Sequence, residues 1–222
     1  MTTDTSVTKQ RLRIMFTRDE TLKYIGHLDM ARTWQRIARR ANLPLAYSEG
    51  FNPQPRMSFA AALPVGCTSG HEELDMVLSP PCAIDEARAQ LDRALPPGMK
   101  VISIEEMPLN APALQVQLVA AEFEIAVEGE DAIGLLGERV QQFLEATEVI
   151  RDRRGKVYNL RPLVQALSVE PAPTDRDVII RSRLQATPEG TGRPDELAAA
   201  LGLDPTRVKI KRTKLIFLDK TN

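Results

Sequence analysis

The residues with the most chemistry to offer lie in one short stretch, "SEGFNPQPRMSF", residues 48–59. Pro53 and Pro55 fix their own φ and push Asn52 and Gln54 toward extended backbone. A stiff loop loses little entropy when something docks on it. Asn52 and Gln54 carry paired donors and acceptors, Ser48 a hydroxyl, and Arg56 a planar fork suited to phosphate or carboxylate. Tyr47, Phe51 and Phe59 can stack on a base or pack inward. We expect Phe51 and Phe59 to anchor the two ends on the core, with Asn52, Gln54 and Arg56 facing outward. The plainer alternative is a rigid connection whose aromatics plug the core.

Other candidates are spread along the chain. His27, in "YIGHLDM", opens a helical stretch and is the candidate catalytic residue, as a general base. No partner triad is visible, so a histidine held for packing explains it as well. Arg153, Arg154 and Lys156 surround Gly155 in "RDRRGKVYNLR", with Arg161 closing the run. A basic hairpin tip is a common grip on a phosphate backbone. In "RVKIKRTK" the bases Arg207, Lys209 and Lys211 alternate with Val208 and Ile210, and Arg212 follows. That gives one positive and one apolar strand face. A solvated edge strand guarded by lysines is the competing account. No Walker, dinucleotide-binding or Ser–His–Asp pattern is present. Glu72–Glu73 and Glu105–Glu106 are neighbours in extended segments, so each pair points to opposite faces and makes a poor acid/base couple.

Composition narrows the classes. Two cysteines, Cys67 and Cys82, and two histidines, His27 and His71, are too few for a disulfide framework, an iron–sulfur cluster or a four-ligand zinc site. No metal and no cofactor are expected. No apolar run reaches the roughly 18–20 residues of a membrane span, and the N-terminus has no apolar core of a signal peptide. A cytoplasmic protein follows as the expectation. A net charge of −1 argues against bulk binding of nucleic acid, and no DNA specificity is expected. The mean hides blocks, however: residues 207–214 carry five bases and no acid, and residues 121–148 eight acids and one base.

The elements that must position these residues follow from periodicity. "RLRIMFT" alternates Leu12, Ile14 and Phe16 against a polar side, as a strand does. "GHLDMARTWQRIARRAN" is a helix with Gly26 as N-cap. Met30, Trp34, Ile37 and Ala41 share its inner face, and Arg32, Arg36, Arg39 and Arg40 the outer. "LAYS" is a short strand, "PVGCTSG" a turn, and "EELDMVL" a strand with Leu74, Met76 and Leu78 inward. "AIDEARAQLDRAL" is a helix and "MKVISIEEM" a strand. After "PLNAPALQVQL", which reads as a linker, the β-α-β-β-α-β order repeats. The expected fold is α+β: two tandem ferredoxin-like (βαββαβ) halves with antiparallel sheets. Their boundaries are a disordered tail over 1–10, an N-terminal half over 11–108, a linker over 109–118 and a C-terminal half over 119–220.

The run "YIGHLDMARTWQRIARRANLPLAYSEGFNPQPRMSFAAALPVGCTSGHEELDMVL" closely resembles the radical SAM-linked protein family, a bacterial domain of unknown function. "YNLRPLV" and "KRTKLIF" fit it as well, so the resemblance covers roughly residues 11–218. Gly26 stands where that family usually shows Ser before His-Leu-Asp. In that family the domain is often encoded beside a radical SAM enzyme or fused behind one, and the neighbourhood often includes RNA-processing and ribosomal-protein genes. The resemblance therefore implies a radical SAM enzyme as partner and RNA as a possible ligand. The first reading is a non-catalytic accessory that holds RNA, or a ribosome-linked substrate, for that enzyme. Tyr47, Ser48, Asn52, Gln54, Arg56, Arg153, Arg154, Lys156, Arg161, Lys211 and Arg212 are its candidate substrate-binding residues. One alternative is a metal-independent RNA-processing or RNA-modifying enzyme, with His27 as base and Arg56 on phosphate. Another is a protein–protein adaptor without RNA affinity.

Overall fold

Strand periodicity and helix periodicity interleave along the chain, and the result is an α+β protein with mostly antiparallel strands. The computed structural model describes residues 8–128, 132–172 and 177–218. The chain divides into two units. The first takes the residues up to 62 together with 71–117, and the second takes 63–70 together with those from 118 onward.

In the first unit the order is β1 (Gln10–Arg18), α1 (His27–Arg40), β2 (Met57–Phe59), β3 (Cys67–Leu78), α2 (Ile84–Ala94) and β4 (Met99–Met107). The strands lie in the order β4-β1-β3-β2, with β4 antiparallel to β1 and β2 antiparallel to β3. Leu12, Ile14 and Phe16 alternate onto one face of β1 and are fully buried, as are Leu74, Met76 and Leu78 of β3. Helix α1 lays Met30, Trp34 and Ile37 on this face. Trp34 meets Phe16 edge-on at 4.9 Å, and Phe59 meets the same ring at 6.3 Å. Gly26 caps α1 without a side-chain bond, Asp29 sits in its first turn where the dipole favours a carboxylate, and Asn42 leaves the helix at φ 52°.

The expected linker is not a free tether. It contains α3 (Leu114–Gln117), in which Leu114 is fully buried, and Gln115 donates to the Phe59 carbonyl. The division between units falls after Gln117. The expected tail over 1–10 lies outside the described residues up to position 7. Gln10 already belongs to β1 and donates to Glu106 at 2.8 Å. "PVGCTSG" is only half a turn: Gly66 turns at φ 91°, and Cys67 starts β3.

The second unit runs β5 (Leu118–Glu128), α4 (Ala132–Glu145), β6 (Ile150–Arg153), β7 (Lys156–Asn159), β8 (Val164–Pro171), β9 (Asp177–Thr187), β10 (Gly190–Thr191), α5 (Pro194–Ala200) and β11 (Lys209–Phe217). Strands β11, β5, β9 and β8 are successive antiparallel neighbours. The start of β3, Cys67–Ser69, pairs parallel with β11. β11 is therefore an interior strand and not the lysine-guarded edge. The β6–β7 hairpin turns through Arg154 at φ 55° and Gly155 at φ 78°, two successive left-handed residues that match the twist of a tight hairpin. No helix among the described residues is long and apolar enough to cross a membrane.

Candidate functional site

The loop over 48–59 is built as a small antiparallel ladder. Ala46 donates to Val77 O, Arg56 to Ala46 O and Val77 to Arg56 O, at 2.8, 2.8 and 3.0 Å. Ser48 N donates to Gln54 O at 2.8 Å, Gln54 N donates to Ser48 Oγ at 2.9 Å, and Tyr47 bridges Pro55. Pro53 and Pro55 lack N–H groups and so leave no donor unmet at the tip. Gly50 makes the turn at φ 118°, where an L side chain would be strained.

This frame presents Asn52, Gln54 and Arg56 to solvent. Gln54 Nε2 donates to Asn52 Oδ1 at 3.2 Å, so the two amides hold each other in place. Phe59 anchors the inner end in the core, 7% exposed. Phe51 does not anchor the other end. It stands fully exposed at the tip, at 113% of its reference surface, with Tyr47 half exposed below it. The expectation for Phe51 is thus corrected: hydrophobicity argued for the core, but the ladder from 46 to 56 places residue 51 at the far end of the turn.

His27 packs edge-on against Phe59 at 5.4 Å on the exposed start of α1. Neither imidazole nitrogen has a hydrogen-bond partner among the described residues, and the ring's contact with Phe59 is what positions it. Among the described residues no group of three His, Cys, Asp or Glu side chains is arranged to hold a metal ion.

The basic hairpin is present, in the second unit. Glu196 of α5 ties Arg151 at 3.0 Å and reaches Arg153 at 3.7 Å. Arg154 and Lys156 are exposed at and beside the turn, with no side-chain partner among the described residues. Burial pushes the Tyr158 phenol above its ordinary value, and Glu196 adds to the effect.

Two candidates are corrected. Arg161 gives its fork to Leu144 O at 3.1 Å and Val164 O at 3.2 Å, and its guanidinium lies over Phe143. It caps the end of α4, with both terminal nitrogens of its half-buried fork engaged by carbonyls. Arg212 is buried, 2% exposed, because strand alternation puts it two residues on from Ile210, on the same buried face of β11. Lys211 is exposed beside it, and Lys209 pairs with Glu128 at 2.9 Å. On α1, Arg32 pairs with Asp29 and Arg40 caps α2 at Ala94 O, while Arg36 and Arg39 stay exposed.

One charged cluster has no counterpart among the expected site residues. Arg11 and Arg13 lie on the β1 face opposite the helices, and His71, Glu73 and Asp75 on the same face of β3. Asp75 takes Arg11 Nε at 3.0 Å and Nη2 at short range, and Arg13 Nε at 2.9 Å and Nη2 at 3.1 Å. Glu73 receives His71 Nε2 at 2.9 Å and approaches Arg13 at 3.9 Å. Arg11 also donates to the carbonyls of Ala111 and Pro112. The polar alternation of "RLR" and "ELD" was the available signal.

Comparisons with known proteins bear on this chain in one respect. A search of curated proteins found no match. Among solved structures, a crystal structure described as a "putative glycine cleavage system transcriptional repressor" is 12% identical, with 94% of this chain and 98% of that one covered. A Dyp-type peroxidase protein from Shewanella oneidensis, also described as "putative", is 8% identical, with 93% and 91% covered. Both superpose with a TM-score of 0.24, and neither carries an argument about fold or function. Residues 11–194 match a family model, and the chain belongs to that family, described as "uncharacterized protein conserved in bacteria" (DUF2344).

Proposed function

We propose that this protein is a non-catalytic accessory that holds RNA, or a ribosome-linked substrate, for a radical SAM enzyme in the cytoplasm. In this reading the two units are tandem ferredoxin-like halves. The strand order β4-β1-β3-β2 in the first and the run β11-β5-β9-β8 in the second support it.

The observation that carries the functional reading is the loop. A backbone fixed by a short ladder and two prolines presents an exposed aromatic, two mutually held amides and an arginine fork side by side. Single-stranded RNA is bound by such a set: aromatic faces stack bases, amides read base edges, and arginine takes phosphate. Arg154 and Lys156 add a second basic tip.

The test is co-purification with the radical SAM enzyme from the native cell, with sequencing of any bound RNA, beside RNA binding by the purified chain. RNA affinity without turnover supports the reading. Turnover by the chain alone moves the assignment to an enzyme, and partner binding without RNA affinity moves it to an adaptor.

A further inference from the structure

Beside the loop, on the side of the first unit's sheet away from the helices, lies an open groove of about 440 Å³. Its size is within the range of small-ligand sites. β-strand alternation decides what faces it. Lys9 and Arg11 lead from the start of β1, Asp75 and Val77 from β3, and Arg56 and Ser58 sit opposite Val77 and Asp75 across the β2–β3 ladder. Leu109, Ala111 and Ala113 of the segment before α3 supply an apolar wall.

The charges in this groove are unbalanced. Lys9, Arg11 and Arg56 face a single carboxylate, Asp75, and that carboxylate already receives four guanidinium N–H groups from Arg11 and Arg13. Arg11 is held in turn by two carbonyls. Lys9, Arg56 and Ser58 keep side-chain donors with no partner among the described residues. Two exposed cations, Lys9 and Arg56, and a hydroxyl beside an apolar wall, over a floor whose arginines are already paired, are complementary to one anionic group on an apolar or aromatic body. The arginine fork matches a phosphate's oxygens in two bonds.

We propose that this groove binds the phosphate group of a single nucleotide, with the nucleoside against Val77, Leu109 and Ala113. This deepens the RNA reading and rests on it for the choice of a nucleotide. Arg56 then belongs to two features at once: it closes the loop ladder with its backbone and holds phosphate with its side chain.

The experiment is calorimetric titration of the full chain with nucleoside 5′-monophosphates, inorganic phosphate, octanoate and a short single-stranded RNA. The monophosphate should bind more tightly than inorganic phosphate or octanoate. Arg56→Ala and Lys9→Ala should each weaken it by roughly ten- to a hundred-fold, the loss of a charge-assisted hydrogen bond. Lys100→Ala, an equal charge change on an exposed residue of the same unit, should leave it intact. An unchanged affinity in Arg56→Ala overturns the proposal. So does inorganic phosphate or octanoate binding as tightly as the monophosphate. RNA binding with no affinity for any mononucleotide overturns the groove and leaves the RNA reading standing. Mononucleotide binding with RNA no tighter supports the groove and sinks the RNA reading.

Discussion

Two phenylalanines eight residues apart should part company on mutation. Phe59 is 7% exposed and touches Phe16 and His27 edge-on. Its truncation to Ala removes a ring from a packed core and should cost about 3–5 kcal/mol. For a chain of this size each kcal/mol lowers Tm by about 2–4 °C, so the fall should be roughly 6–20 °C. Phe51 touches nothing that its fold needs, so Phe51→Ala should change stability by no more than about 0.5 kcal/mol. Its effect belongs in binding. Stacking one base on an aromatic ring contributes roughly 1–3 kcal/mol, or about five- to 150-fold in Kd. The assay pairs thermal unfolding with anisotropy of labelled single-stranded RNA at roughly 50 mM salt, below the melting range of both variants. Phe51→Ala with wild-type affinity refutes the stacking role. A melting temperature lowered as far by Phe51→Ala as by Phe59→Ala refutes the exposed tip itself.

Further outcomes follow from the charged groups. Asp75→Ala leaves the little-exposed Arg11 and Arg13 without their shared acceptor and should cost about 3–5 kcal/mol in urea unfolding. Adding Arg11→Met should recover much of it, and a loss below about 1 kcal/mol for the single change contradicts this. Arg154→Ala with Lys156→Ala should flatten the salt dependence of RNA binding by roughly one to two counterions and leave stability unchanged, as exposed charges contribute little. Tyr158 has a buried hydroxyl with no partner among the described residues, and its folded-state pKa is raised. The folded state then holds a proton that the unfolded state releases, so stability falls as pH rises past about 10. Tyr158→Phe should be neutral or slightly stabilising at pH 7 and should remove that alkaline loss, measured by urea unfolding across pH 8–11, about the range of the phenol.

The helices and strands were legible because their signal is local. Met30, Trp34, Ile37 and Ala41 recur at helical spacing and all four are buried; Leu12, Ile14 and Phe16 alternate and are fully buried. The Gly155 turn was legible from its residue types. What escaped depends on where distant segments meet. Alternation says that Arg11 and Arg13 share a face, but not that Asp75, 64 residues away from Arg11, lies across from them. Arg161 reads as a surface base because most arginines are. Its fork is engaged by carbonyls from two other elements, which no pattern around position 161 announces. Phe51 failed for the opposite reason: residue type argued for burial, and hairpin geometry overrode it.

The Arg11–Asp75–Arg13 cluster places charged side chains that are almost wholly shielded from water on this sheet face. Replacing buried ion pairs by apolar residues is often neutral or stabilising, so stability alone is a weak account of it. Geometry is a stronger one. Asp75 fixes the Arg11 guanidinium with two of its bonds, and the other two hold Ala111 O and Pro112 O. Those carbonyls belong to the segment that leads to α3 and walls the groove beside Arg56. An apolar pair at 11 and 75 would fill the same space but offer no directed bond to that segment. The groove's wall is therefore fixed by one guanidinium, and its position depends on the orientation that Asp75 gives that group.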